Sequence, residues 1–280
     1  MQWLSGQSLS QEWRHSIRQT LSTYQHQPKL VIITIGDNEA SAIYVGVKQR
    51  ACQDVGIECL IHHQTDSTTD ACIELIEGYN KDQNIHGILV QLPLPSHLDS
   101  EAILTAVDLN KDVDGLSSKQ PRYLPSFVPC TPLAIQHLLH HYQIPLKSQH
   151  VVVVGTSKLI GRPLVDFFID QGATLTLCHQ WTQQQPPRND LRTCIERADI
   201  VISATGHRDI IQPQWIKPSC VVIDVGIHRH QGHICGDLDH DALGHVQWLT
   251  PVPGGVGPVT VTCLLANVTK AFEQVSLVAK

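Results

Sequence analysis

Four consecutive valines run into a glycine turn at Val151-Val152-Val153-Val154-Gly155-Thr156-Ser157-Lys158-Leu159-Ile160-Gly161-Arg162-Pro163. No other stretch constrains the fold as tightly. An unbroken β-branched run reads as a buried strand, and the segment after Gly161 reads as a helix. Gly155 allows the tight turn between them, and Gly161 allows the helix to pack close to the sheet. Free N–H groups at the start of that helix then face a pyrophosphate, so the segment is a candidate dinucleotide site. The pattern departs from G-x-G-x-x-G, because Ser157 replaces the second glycine and the spacing is longer. A plain strand–turn–helix is the alternative.

The same rhythm runs through the rest of the chain. Strands are expected at Lys29–Gly36, Ile57–His62 and His86–Leu92, the last stopped by Pro93 and Pro95. Helices are expected from Ala40 to Val55, closed by Gly56, from Thr69 to Tyr79 and from Ser100 to Val107. Pro121–Pro129 breaks the alternation as a domain boundary would. A helix then starts at Thr131-Pro132, with Thr131 as N-cap and Pro132 at N1. Beyond Val151–Val154 come the strands Thr174–Cys178, Ile200–Ala204 and Val221–Val225. A last helix runs from Val259 to Gln274 after a Pro/Gly-rich loop. Alternation of this kind predicts two doubly wound α/β domains. Residues 1–122 with 259–280 form one, and residues 123–258 form a Rossmann-type dinucleotide-binding domain.

Composition narrows the partners. The 280 residues are 42% apolar and 16% charged, with a net charge of -6, so there is no basic field for nucleic acid. No apolar run reaches membrane-spanning length and no signal peptide is read at the start, so a cytoplasmic protein is expected. Nine cysteines without a C-x-x-C pair suit reduced, buried thiols. His137, His140 and His141, and the group His228, His230, His233, Cys235 and His240, crowd together. Neither has the fixed spacing of a zinc module, and no metal is expected.

Two further readings bear on chemistry. Tyr44 and Lys48 are four residues apart, which on a helix puts a phenol and an amine on one face. An ordinary amphipathic helix with a surface lysine is the alternative. At the end of the strand Thr174–Cys178, where a carboxylate would select NAD, the chain has Cys178-His179-Gln180-Trp181-Thr182. NADP is therefore permitted. Thr156 and Gln180 bring no cation to its phosphate, and Lys158 and Arg162 are the nearby cations.

Seven blocks, in order, carry a resemblance. They are Ala40-Ser41-x-x-Tyr44-Val45-x-x-Lys48, Gly87–Pro95, Lys111-Asp112-Val113-Asp114-Gly115, Pro129-Cys130-Thr131-Pro132, Gly155-x-Ser157-x-x-x-Gly161-Arg162-Pro163, Val222–Ile227 and Thr250–Pro258-x-Thr260. Together they resemble the bifunctional methylenetetrahydrofolate dehydrogenase/methenyltetrahydrofolate cyclohydrolase family over nearly the whole chain.

The resemblance implies a folate site in a cleft between the domains, formed by Tyr44, Lys48, Gln91 and Asp114. In it, Asp114 would bind the pterin ring and Lys48 would manage protons as water adds to the methenyl carbon. Gln91 would orient the lysine, and Tyr44 would shape the pocket. Pro253, Gly254 and Gly255 would bring bare backbone to the substrate. Gly155, Thr156, Ser157, Gly161, Arg162, Gln180, Gly206 and Ile227 would line the cofactor site, with NADP expected and NAD the alternative. It further implies tetrahydrofolate derivatives as partners, a homodimer and a role in one-carbon metabolism. A dehydrogenase with little cyclohydrolase activity and a non-catalytic folate- or dinucleotide-binding protein are the alternatives.

Some positions depart from the family pattern. Gln120 and Arg122 stand where it usually has an asparagine and a glycine, and Ser5-Gly6-Gln7 replaces Asp-Gly-Lys. His228 replaces an asparagine, and the proline usual after the Gly206 position is absent.

Overall fold

The computed structural model describes all residues except 122–125, 183–189, 231 and 279–280. The chain forms two compact units, residues 1–10 with 131–260, and residues 11–130 with 261–280. It changes unit near 10, 130 and 260. The expected boundary at 122/123 falls on residues outside those described. The described residues 126–130, expected in the dinucleotide-binding domain, belong to the unit of residues 11–130, and the later change comes at 260/261 where 258/259 was expected. The first ten residues join the unit of the glycine turn, not the unit that follows them in sequence. A two-residue strand, β1 (Gln2–Trp3), is the reason, as the pairing below makes clear.

The unit of residues 11–130 and 261–280 is built on a three-stranded parallel sheet. Its strands are β2 (Lys29–Ile35), β3 (Glu58–Gln64) and β4 (Gly87–Val90), in the order β3-β2-β4. Between them run α2 (Glu39–Val55) and α3 (Thr69–Lys81), preceded by α1 (Gln7–Leu21) and followed by α4 (Ser100–Ala106). β2 is buried along nearly its whole length, as a central parallel strand requires. Val31, Ile33 and Ile35 pack with Ile88 and Val90 against Cys72 and Ile76 of α3 and Ile103 of α4. Asn38 caps α2 by accepting from Ser41 N, and Gly56, at φ 88°, closes it by turning its N–H to Cys52 and Gln53 carbonyls. β4 ends two residues earlier than expected, although Gln91 N still donates to Ile33 O at 2.8 Å.

The other unit carries a six-stranded parallel sheet. After α5 (Cys130–His141) come β5 (His150–Val154), α6 (Gly161–Asp170), β6 (Thr174–Cys178), α7 (Leu191–Arg197), β7 (Ile200–Ser203) and β8 (Val221–Asp224). A short hairpin, β9 (His228–His230) and β10 (His233–Cys235), and the strand β11 (Trp248–Leu249) follow. α8 (Val256–Val278) ends the chain. The sheet order is β1-β11-β8-β7-β5-β6, so the winding reverses between β5 and β7. β1 extends it at the edge, Gln2 opposite Trp248 and Trp3 opposite Leu249. Tyr142 Oη adds a bond to Ser5 O at 2.9 Å.

Some expectations need correction. α5 begins at Cys130, so Thr131 lies inside its first turn and is not its N-cap. Pro132 still falls within that turn, where its missing N–H has no partner to lose. α1, α7, the β9–β10 hairpin and the strands β1 and β11 have no counterpart in the sequence reading. β1 and β11 have only two residues each, too few for any periodicity.

Candidate functional site

In the three-stranded unit, the helix face read from sequence meets the end of β4. Lys48 Nζ donates to Gln91 Oε1 at 3.0 Å. Gln91 Nε2 in turn donates to Leu92 O at 2.7 Å, which turns the amide so that its oxygen faces the lysine. Ser41 Oγ donates to the same carbonyl at 3.5 Å. Lys48, Gln91 and Tyr44 are all half-buried. Partial desolvation pushes the Tyr44 phenol above its ordinary pKa. All three residues lie near the carboxyl ends of parallel strands, where open α/β sheets place their ligands.

Asp114 is half-buried and held by its backbone neighbours. Val113 O accepts from Asn267 Nδ2 of α8 at 2.8 Å and from Cys130 Sγ at 3.5 Å. Burial, followed by the negative charge of Asp114, pushes the Cys130 thiol well up. Gly115 sits at φ 69°, and a Cβ there would come within 2.7 Å of Pro129 N and Val128 C. Only glycine fits this turn.

The valine–glycine segment forms the turn expected of it in the six-stranded unit. Gly155, at φ 123°, follows β5 at the point where the winding reverses. A Cβ on Gly155 would overlap Ala204 O beyond β7, and one on Gly161 would overlap Gly155 O. Both glycines are therefore obligatory, and the concavity they leave suits a pyrophosphate approaching the backbone. Ser157 shapes the turn, accepting from Ile160 N at its Oγ (3.1 Å) and from Arg162 N at its carbonyl (3.1 Å).

Thr156 is half-buried, and Ser157, Lys158, Arg162, Gln180, Gly206 and Ile227 are exposed around these strand ends. Gly206 takes φ 66°. At the end of β6, His179 N donates to Thr182 Oγ1 at 2.9 Å, and His179 Nδ1 accepts from Trp181 N at 3.0 Å. Pro253 is exposed. Gly254, at φ 112°, and Gly255 are buried against the chain start, where Gly6 N donates to Gly254 O at 2.8 Å. A Cβ on Gly6 would overlap Gly255 O, so the Ser5-Gly6-Gln7 variant of the family pattern keeps its indispensable glycine.

Two carboxylates escaped the sequence reading. Asp237 accepts from Ser203 Oγ (3.0 Å), Thr205 N (2.8 Å), Thr205 Oγ1 (2.8 Å) and His228 Nε2 (2.7 Å). Asp224 accepts from Gly226 N (3.0 Å), Asp237 N (3.0 Å), Leu238 N (3.0 Å) and His240 Nε2 (2.9 Å). Both are buried, and both hold the loops beyond β7 and β8. Two of the histidines that looked like metal ligands are thus partners of structural carboxylates. The available signal was an acid inside each apolar stretch, Val-Ile-Asp-Val and Cys-Gly-Asp-Leu.

A model of the tetrahydrofolate dehydrogenase/cyclohydrolase catalytic domain matches residues 4–114, and one of its NAD(P)-binding domain matches residues 129–276. The chain belongs to the tetrahydrofolate dehydrogenase/cyclohydrolase family. The bifunctional protein FolD of Hydrogenobaculum sp. (strain Y04AAS1) is 39% identical over 98% of this chain and 99% of its own length. Among solved structures, the bifunctional FolD enzyme of Campylobacter jejuni superposes with a TM-score of 0.89 at 35% identity, covering 98% of this chain and 99% of its own. The Trypanosoma brucei dehydrogenase–cyclohydrolase, solved with NADP cofactor and an inhibitor, has a TM-score of 0.88 at 29% identity over 96% of each chain. Both domain models of this family therefore find their counterparts here, and no described helix is long and apolar enough to cross a membrane.

Proposed function

We propose that this chain oxidises 5,10-methylenetetrahydrofolate to the 5,10-methenyl compound with NADP, then hydrolyses that compound to 10-formyltetrahydrofolate in one-carbon metabolism. The observation that carries the reading is the Lys48 Nζ–Gln91 Oε1 bond of 3.0 Å, on the residues where the family resemblance puts the folate chemistry.

A dinucleotide fits the six-stranded unit, because the two glycines leave a cradle that any Cβ would fill. A bound nicotinamide would supply the hydride acceptor for the methylene bridge. The protein's share of that step is position. The glycine turn from Gly155 into α6 would receive the pyrophosphate, and the Pro253–Gly255 turn would keep bulky side chains away from the ligand.

Hydrolysis of the methenyl cation needs a proton taken from the attacking water and one returned to the ring nitrogen as the C–N bond breaks. Lys48 is the group placed to exchange them. Gln91, itself fixed on Leu92 O, holds the amine in one direction, and Tyr44 walls the site one helical turn away. Asp114 receives the paired N–H donors of the pterin. NADP is the preferred cofactor because residues 179–182 bring no carboxylate to repel a 2′-phosphate. The same reading carries a homodimer and a cytoplasmic location.

Mixing purified protein with 5,10-methylenetetrahydrofolate and either NADP or NAD tests the proposal. Methenyl absorbance should rise faster with NADP and then decay faster than in buffer. No turnover with either cofactor would overturn the reading.

A further inference from the structure

Asp112, two residues before Asp114, is buried and gathers the chain that follows the pterin-binding candidate. Its Oδ1 accepts from Leu116 N at 3.1 Å, and its Oδ2 accepts from Ser117 N at 3.0 Å. Gln120 Nε2 donates to the same Oδ2 at 3.2 Å and to Leu109 O at 3.2 Å. At the other end of its amide, Gln120 Oε1 accepts from Ser126 N at 3.0 Å. One carboxylate and one amide thus join residues 109, 112, 116, 117 and 126. Gly115, locked between them, can relax nowhere, since any Cβ there would overlap the backbone of residues 127–129.

We propose that Asp112 and Gln120 are positioning residues that hold Asp114 for the folate ring and do so only while Asp112 is ionised. This deepens the function proposed above and rests on it. The family usually has an asparagine at the position of Gln120. The glutamine is one methylene longer, and it spans the separation between Asp112 and Ser126.

The ionised carboxylate is an acceptor at both oxygens. A proton on Oδ2 would face Gln120 Nε2, donor against donor. Turning the Gln120 amide to accept that proton would aim Nε2 at Ser126 N and give up that bond. The switch is therefore built into the geometry. Burial pushes Asp112 up to about 6, against the opposing bonds from Ser117, Gln120 and Leu116, with Asp114 adding to the rise. Asp114 is the charged side chain that acts on it. The neighbouring ammonium groups are turned elsewhere, Lys111 to the carbonyls of Tyr79, Asn80 and Asp82, and Lys119 to Thr105 O.

The test compares wild type with Gln120→Met, which keeps shape and removes the amide, and with Asp112→Asn. Folate KM, cofactor KM and kcat are measured from pH 8 to pH 5.5, and amide-exchange protection is measured at Ser117 and Ser126. For wild type, folate KM should rise about tenfold as the pH falls through about 6. Gln120→Met should already have the high KM at pH 8 and show no further rise, with kcat and cofactor KM within about twofold of wild type. Its Ser126 amide should lose protection. A flat wild-type KM, or a Gln120→Met enzyme with wild-type folate KM and Ser126 protection, would overturn the proposal. Should Asp112→Asn fail to fold, Gln120→Met decides alone, since its side chain is only partly buried. Absence of turnover in wild type would sink the functional reading instead. Ser126 protection, which needs no turnover, would still judge the strut.

Discussion

Replacing Gln91 by leucine removes the hydrogen bond that aims Lys48, and its cost can be worked from the geometry. The bond is 3.0 Å long with an ammonium donor. A hydrogen bond to a charged group contributes about 1.5–3 kcal/mol, so cyclohydrolase kcat should fall by roughly 10- to 150-fold. Lys48→Met removes the proton-exchanging group itself and should cost about 10²–10⁴-fold. The double variant is the decisive case. If Gln91 acts through Lys48, Gln91→Leu has nothing left to cost once the amine is gone, and the double variant should match Lys48→Met within about twofold. The assay is the decay of methenyl absorbance, with hydride transfer followed separately as methenyl formation. Lys48→Met should retain measurable hydride transfer. Multiplying losses in the double variant would refute the orienting role of Gln91, and equal loss of both reactions in Lys48→Met would refute the assignment of the lysine to hydrolysis.

Gly161→Ala places a methyl group on Gly155 O, an overlap whose relief should cost about 1–3 kcal/mol and weaken NADP binding by at least roughly tenfold. Fluorescence titration with NADPH reads it, and unchanged affinity would contradict the close approach. Stability should carry the mark of Asp112. Its folded pKa of about 6 lies above the ordinary aspartate value of 3.8, so its contribution is full below about pH 4 and is lost as the pH rises through about 6. The loss is at most about 3 kcal/mol, and urea unfolding of wild type should show a decline there that Asp112→Asn lacks. Thiol labelling at pH 8 should begin at Cys59, partly exposed and lowered by its hydrogen bond with Cys52. The fully buried Cys130, raised well above the ordinary thiol range, should label only on unfolding, and early modification at Cys130 by peptide mass spectrometry would count against its burial.

The sequence was most legible where one short segment sets its own conformation. The valine run, the two glycines of the turn and the capped helix Glu39–Val55 are local objects, and their strand, turn and cap follow from side-chain branching, φ and hydrogen-bonding capacity. The Tyr44/Lys48 face was equally local, because helical spacing alone puts the two side chains together.

What the sequence could not decide was who meets whom across many residues. Lys48 and Gln91 are 43 residues apart, and their contact exists because β4 pairs beside β2 and ends level with the helix face. Gln2 and Trp3 carry no readable pattern, yet they extend a sheet whose other strands lie more than a hundred residues away. Asp224, Asp237 and Asp112 read as ordinary turn or strand acids. Only burial, which forces each to gather several N–H donors, makes them anchors of the loops around the two candidate sites. Chemistry-bearing residue types and local conformation were fixed by the sequence itself. Partnership was fixed by parallel pairing and desolvation, which exist only once the chain has closed.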